Sequence, residues 1–464
     1  MKMGRFRRKS CLTALAFASF IFLIVIILKN ASQDAFLDLP DAFVEGLPLK
    51  VNKVEHKQPQ EQQQEQQSDM NNNADAADAA IAAPVTDKPL DTKDTKDMNM
   101  DADALMAKYP APNYNVHAFY YVWYGSPQFD GKYIHWDHPV LPHWDEKVAA
   151  AFPKGRHSPP DDIGANFYPA LGAYSSRDPA VIDAHMRQMR MAAIGVLAVS
   201  WYPPGTSDDN GEASDNIVPL IMDAAHKYQI KVAFHIEPFK DRNEKTMFDS
   251  VKYIMEKYGE HPAFFRYTTG TGKALPVYYI YDSYLLNEED WALFLKPNAP
   301  HSVRDTPYDG LFLGLLVEEK HKRSILSAGF DGMYTYFATN GFTYGSSYRN
   351  WKSVKVFCDD HSLIFIPSVG PGYVDTSIRP WNSQNTRNRL KGRYYETALS
   401  AAVESGSRVV SVTSFNEWHE GTQIEMAVPK VGSPPYLDYS PRRPAAYLEI
   451  TRKWAEKFTG DWLF

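Results

Sequence analysis

The chain has 464 residues and a formal net charge of −7, which speaks against a polyanionic partner such as nucleic acid. Its length admits two or three average domains, or one large α/β barrel with additions. Aromatic residues make up 14%, which suits a carbohydrate cleft and a large core equally well. In chain order the first element is a basic tail over 1–10 (Lys2, Arg5, Arg7, Arg8, Lys9), followed by an uncharged, mostly apolar run over 11–28. Eighteen residues rising about 1.5 Å each span roughly 27 Å, enough for a thin bilayer. Basic residues upstream orient the amino end to the cytosol, giving a single-pass type II signal anchor with a lumenal remainder. A cleavable signal peptide is the alternative, with a shorter apolar core and a small-x-small site. Asn30-Ala31-Ser32 is a glycosylation sequon close to the membrane.

From 29 to 106 the chain is rich in Gln, Asn, Asp and Ala and poor in aromatics, as in "EHKQPQEQQQEQQSDMNNNADAADAAIAAP". Such a segment buries too little apolar surface to offset its ordering entropy, so it reads as a disordered stem before a lumenal domain over 107–464. Only two cysteines occur, Cys11 in the apolar run and Cys358, so no internal disulfide is expected. Cys358 has apolar neighbours and reads as buried.

Beyond the stem, eight short apolar or β-branched runs bounded by turn residues read as strands: 116–125, 194–204, 230–239, 275–284, 310–319, 329–338, 363–373 and 408–418. Several are continuously apolar, as parallel strands covered on both faces should be. Helix-like stretches lie between most of them, including "DPAVIDAHMRQMRMAA", "SDNIVPLIMDAAHKY" and "GRYYETALSAAVESG". This alternation predicts an α/β fold, a (β/α)8 TIM-type barrel with long loop insertions. An open doubly wound sheet is the runner-up, but no glycine-rich phosphate loop follows the first strand.

The carboxyl ends of the eight runs carry Trp123-Tyr124, Trp201-Tyr202, His235 and Glu237, Asp282 and Tyr284, Glu318-Glu319, Tyr334 and Tyr336, Tyr373, and Glu417-Trp418. In a barrel these ends converge on the face where active sites sit. Glu417 and Glu420, three apart in "SFNEWHEGTQIE", can share one side of a turn. Two close acids raise one another's proton affinity, so one can donate a proton while the other accepts one, as glycosidic cleavage requires. An ordinary capping or surface pair is the plainer reading. His419-Glu420 begins like a zinc-protease motif, but Gln423 stands where the second histidine would be, and His135, His138, His143 and His157 lack metal-site spacing. Neither a metal nor another cofactor is expected. The loop "YPPGTSDDNGEASD" reads either as an exposed turn or as a lid beside the mouth.

The stretches "YYVWYGSPQFDGKYIHWDHP", "GRHSPPDDIGANFYP", "SWYPP", "HIEP", "TYFATNGFTYGSS", "FIPSVGPGYVDTSIRPWN" and "SFNEWHEGTQIE" closely resemble the glycoprotein endo-α-1,2-mannosidases of glycoside hydrolase family 99, over about 110–455. The resemblance implies a retaining, metal-independent, endo-acting hydrolase that releases glucosyl-mannose from glucosylated N-glycans. It also implies a Golgi membrane setting for the anchor and stem. Carried over residue by residue, Glu417 is the base acting on the sugar's own 2-hydroxyl and Glu420 the general acid/base. Tyr202 then packs on the distal sugar, beneath a closing loop over 205–212 in which Asp208, Asp209 or Glu212 accepts its hydroxyls. Glu237, Tyr336 and Arg379 line the cleft near the cleaved bond, and Tyr124 joins them by position alone. The function of a different class is a glycan-binding Golgi paralogue with weak or no turnover.

Overall fold

The computed structural model describes residues 92–208, 210–432 and 435–462. The basic tail, the apolar run with Cys11, Asn30, the stem up to residue 91 and Asp209 lie outside the described residues. One compact unit holds 92–143 with 150–462, while 144–149 group apart and contain a short helix, Glu146–Ala149.

All eight expected strand regions form strands: β1 (Asn113–Tyr120), β2 (Ile194–Trp201), β3 (Lys231–Ile236), β4 (Ala274–Ile280), β5 (Leu311–Leu315), β6 (Gly332–Tyr334), β7 (Ile364–Ile366) with β8 (Ser368–Val369), and β9 (Val410–Val412). Every neighbour pair is parallel, in the order β1-β2-β3-β4-β5-β6-β7. β8 then pairs with β9, and β9 with β1. Pro367, which has no N–H to donate, separates β7 from β8. The seventh and eighth expected positions are thus filled by an interrupted strand and by β9, and the sheet is a nearly closed parallel barrel. All eight residues of β2 are buried, as helices on one face and a filled barrel on the other require.

The three helices singled out in the sequence form as α3 (Pro179–Met191), α4 (Val218–Lys227) and α9 (Arg393–Glu404), with other helices between them in chain order, from α5 (Glu244–Tyr258) through α6 (Glu288–Leu295) and α7 (His321–Ala328) to α8 (Tyr348–Asp360). α3 starts where Asp178 accepts the Ala180 N–H at 2.8 Å with Pro179 in the first turn. Asn243 and Thr246 form a reciprocal capping box on α5. Cys358 is fully buried in α8.

The end of the stem differs from the compositional reading. Thr92–Met98 (α1) and Ala102–Lys108 (α2) are helical, and Leu105 is fully buried against the core. Asp94 pairs with Arg443, and Asp97 pairs with Lys108 and accepts the Tyr109 hydroxyl. Arg190 donates to the Tyr109 carbonyl at 3.0 Å. Composition misses this because single long-range partners, not local apolar density, hold the segment down.

Candidate active site

Side chains two apart on a strand share a face, and the barrel interior follows that rule in two layers. In the lower layer the Phe119 ring meets His235, Tyr279 and Tyr334, with centroids 4.7–5.7 Å away. Two residues further along each chain, Tyr121, Glu237, Tyr281 and Tyr336 form the floor of the mouth. The Tyr121 and Tyr336 hydroxyls are hydrogen-bonded, and the Tyr336 ring lies 4.8 Å from Tyr281 and 5.7 Å from His235. Ser200 donates to Glu237 at 2.7 Å. Burial pushes the Glu237 carboxyl up to about 8 and His235 down to about 3, so at neutral pH both are favoured uncharged.

Over this floor stands the loop that follows β9. The Asn416 side-chain amide exchanges two 2.8 Å hydrogen bonds with the Tyr121 backbone, prolonging the ladder by one rung. Glu417 N–H donates to Ser414 Oγ at 2.7 Å, and Glu420 N–H donates to Glu417 Oε2 at 2.5 Å, so both acids belong to one tight turn. Gly421 lets the chain leave that turn at φ +60°, where a Cβ would lie 2.7 Å from the Val374 carbonyl oxygen. Trp418 and Glu425 point into the core. There the fully buried Glu425 accepts from Trp418 Nε1 at 3.0 Å and Tyr174 at 2.9 Å, and its other oxygen lies 3.1 Å from His185. The third glutamate of the motif is therefore a support, and the cluster of acids at a strand end divides into a working pair and a buried brace.

Burial raises the carboxyls of Glu417 and Glu420, the former further because Glu420 stands beside it, the latter to about 7. Arg379 opposes both shifts. The guanidinium is held by Asp375, whose Oδ2 accepts from Arg379 at 3.1 Å, Tyr373 at 3.0 Å and Asn382 at 2.9 Å. Two close acids under one cation, Glu417 buried and Glu420 partly buried, both raised above the usual carboxylate range, titrate as a pair rather than singly.

The structure brings Glu417, Glu420, Glu237, Tyr336 and Arg379 to one mouth. Tyr202 walls a shallow neighbouring cleft with Trp123, Ser200, Asp208 and Glu212. Asp208 differs from expectation. Its Oδ2 lies 2.7 Å from His135 Nε2, and its Oδ1 accepts the N–H groups of Asn210 and Glu212 at 2.8 and 2.9 Å, so it organises the 205–212 loop. Tyr124 also differs. It is fully buried, stacked on Trp136 at 4.1 Å, and its hydroxyl donates to the Asn416 carbonyl at 3.1 Å while accepting the Trp418 N–H at 3.0 Å. It supports the acid turn from behind and presents no surface to a sugar. Tyr121 and Trp123 take the inward places, on the parity of Phe119; that alternation is visible in "FYYVWY" once Phe119 is known to face in. Asp375, which the sequence reading missed, does carry a local signal, an acid four residues before Arg379. His135, His138 and His419 gather with rings 4.8–6.4 Å apart, yet His419 Nδ1 is engaged by the Gly164 carbonyl at 2.6 Å. Among the described residues no group of three or more His, Cys, Asp or Glu is placed to hold a metal ion.

A carboxyl pair at the carboxyl-terminal mouth of a parallel barrel, floored by aromatic rings, is an arrangement for cleaving glycosides. The glycosyl hydrolase family 99 model matches residues 111–460. The chain belongs to this family. It is a glycoside hydrolase. A glycoprotein endo-alpha-1,2-mannosidase of Rattus norvegicus is 54% identical over 99% of this chain and 97% of that protein. A glycoprotein endo-alpha-1,2-mannosidase-like protein of Homo sapiens is 64% identical over 74% of this chain and 76% of its own length. The solved family 99 endo-alpha-mannosidase of Bacteroides thetaiotaomicron is 45% identical, covers 75% of this chain and 98% of its own, and superposes with a TM-score of 0.68.

Proposed function

We propose that this family 99 hydrolase is a retaining endo-α-1,2-mannosidase that releases glucosyl-mannose from glucosylated high-mannose N-glycans. The observation that carries the reading is the Glu417–Glu420 turn, with Glu417 buried, Glu420 partly exposed at the mouth, and both raised and faced by Arg379. Glu417 takes the proton of the mannose 2-hydroxyl as that oxygen attacks C1 of the same ring. Glu420 gives its proton to the leaving glycosidic oxygen as the C1–O bond breaks, leaving a 1,2-anhydro sugar. Glu420 then takes a proton from water, whose oxygen opens the anhydro ring at C1, and Glu417 returns the first proton to O2. Two inversions at C1 give net retention, with sugar oxygen in place of the carboxylate nucleophile of the general scheme.

Protonated Glu237 can donate a hydrogen bond to the reacting ring. Tyr202, with the 205–212 loop, supplies a place for the capping glucose, and the Glu212 side chain on that loop is a carboxylate that can accept its hydroxyls. The basic tail and apolar run of the sequence support placement in the Golgi membrane with the barrel in the lumen, although no helix among the described residues is long and apolar enough to cross a membrane. A glycan-binding role with little turnover is the second reading, favoured by the 64% identity to the human protein named a "-like protein". Incubation with glucosylated high-mannose glycan separates the two. The mannosidase releases a disaccharide with retained configuration, and Glu420→Gln lowers the rate at least ~10²-fold while glycan binding persists. Binding without release by the wild type, or near-wild-type turnover by the variant, refutes the assignment.

A further inference from the structure

An endo-acting enzyme must also hold the glycan beyond the cleaved bond, and the mouth of this barrel is built unevenly. The Tyr202 cleft lies over the end of β2. Around an eight-position ring, the end of β6 is diametrically opposite. There the chain runs from Tyr336 through Phe337 into the 339–347 loop, and three rings step outward from the site. Tyr336 and Phe337 have centroids 5.6 Å apart, Phe337 and Phe342 5.4 Å, both edge-to-face. Phe342, the outermost, is 40% exposed. One exposed phenyl is ordinary on a protein surface; a phenyl held out rigidly at the end of an aromatic series that begins at the catalytic floor is not.

The loop carrying it is tightly fixed. Thr343 and Ser346 exchange backbone-to-side-chain hydrogen bonds at 2.9 and 3.0 Å. Gly345 N–H donates to the Val317 carbonyl at 3.1 Å, and a Cβ on Gly345 would strike the Leu316 carbonyl oxygen at 1.9 Å. Asn340 N–H donates to Tyr394 at 2.9 Å, and the Asn340 side chain accepts the Tyr348 N–H at 3.1 Å. Arg387 donates to the Asn340 carbonyl at 3.3 Å and pairs its own backbone with Tyr373 at 2.8 and 3.0 Å. Val374, next to Tyr373, donates its N–H to the Glu420 carbonyl at 2.8 Å. The exposed ring is thereby tied to the loop that carries the proposed proton donor, while its own strand end lies opposite that of the Tyr202 cleft.

We propose that Phe342, backed by Phe337, is the stacking platform for the leaving-group portion of the glycan, one or more sugars past the cleaved bond. The inference rests on the mannosidase reading above. A pyranose presents an apolar C–H face that covers an aromatic ring, and a ring already fixed loses little freedom when covered.

The test compares kcat/KM on two substrates sharing the same glucosyl-mannosyl part: the glucosyl-mannosyl fluoride, which has no sugar on the leaving-group side, and a glucosylated high-mannose oligosaccharide. Phe342→Ala lowers the oligosaccharide-to-fluoride ratio about three- to tenfold, chiefly through KM, and Phe342→Tyr, which keeps the ring, restores it. An unchanged ratio in Phe342→Ala overturns the platform alone, as does failure of Phe342→Tyr to restore it. A wild-type protein that cleaves neither substrate overturns the mannosidase reading and the platform with it.

Discussion

Replacing Tyr124 by Phe removes one oxygen and leaves the ring stacked on Trp136. That oxygen serves two buried backbone groups, the Asn416 carbonyl and the Trp418 N–H, which flank Glu417, and residues 416 and 418 are both fully buried. No other hydrogen bond to either of those two groups is found among the described residues. A buried donor or acceptor left unmade costs about 1–3 kcal/mol, so the pair predicts a loss of ~2–6 kcal/mol in folding free energy with no cavity contribution. A turn relaxed by this loss also misplaces Glu417, and a misplacement near 1 Å lowers turnover roughly 10²-fold. Urea unfolding followed by tryptophan fluorescence should therefore show a lower midpoint at unchanged slope. Kinetics on the fluoride should show the loss in kcat. A Tyr124→Phe protein with an unchanged midpoint and a raised KM would refute the buried-support account and return Tyr124 to the sugar-binding surface.

The pH dependence of kcat/KM should be bell-shaped, because the Glu417–Glu420 pair must hold one proton. Both carboxyls are raised, Glu420 to about 7. Activity therefore falls as pH drops through about 7 and the second proton binds, and falls again on the alkaline side as the last proton leaves; a flat profile from pH 5 to 8 would contradict the shared-proton pair. A chain beginning at Asp103 should stay active but unfold at lower urea than one beginning at Thr92. The shorter chain lacks the Asp94 partner of Arg443 and the Asp97 partner of Lys108 and Tyr109, and equal midpoints would show that α1 contributes nothing.

The eight strand regions, three of the helices and the Glu417–Glu420 pair were legible in the sequence, because each rests on a local pattern: continuous apolar runs for parallel strands, Pro179 after Asp178 for a helix start, two acids three apart beyond the last strand. What a pattern cannot carry is the partner at the far end of a contact. Tyr124 and Tyr121 look alike in "FYYVWY", and only the direction in which Phe119 faces decides that Tyr121 reaches Tyr336 while Tyr124 sits behind the acid turn. Asp208 reads as a free carboxylate until His135, 73 residues earlier, closes on it. The helix Thr92–Met98, read as stem from composition, is likewise held by Arg443 and Tyr109, far along the chain or across a turn. Periodicity and spacing act within a few residues and are fixed by backbone geometry alone. Pairing of buried charge acts over any sequence distance, because desolvation penalises whatever charge the fold leaves alone, and so it is set only when the tertiary structure brings the partners together.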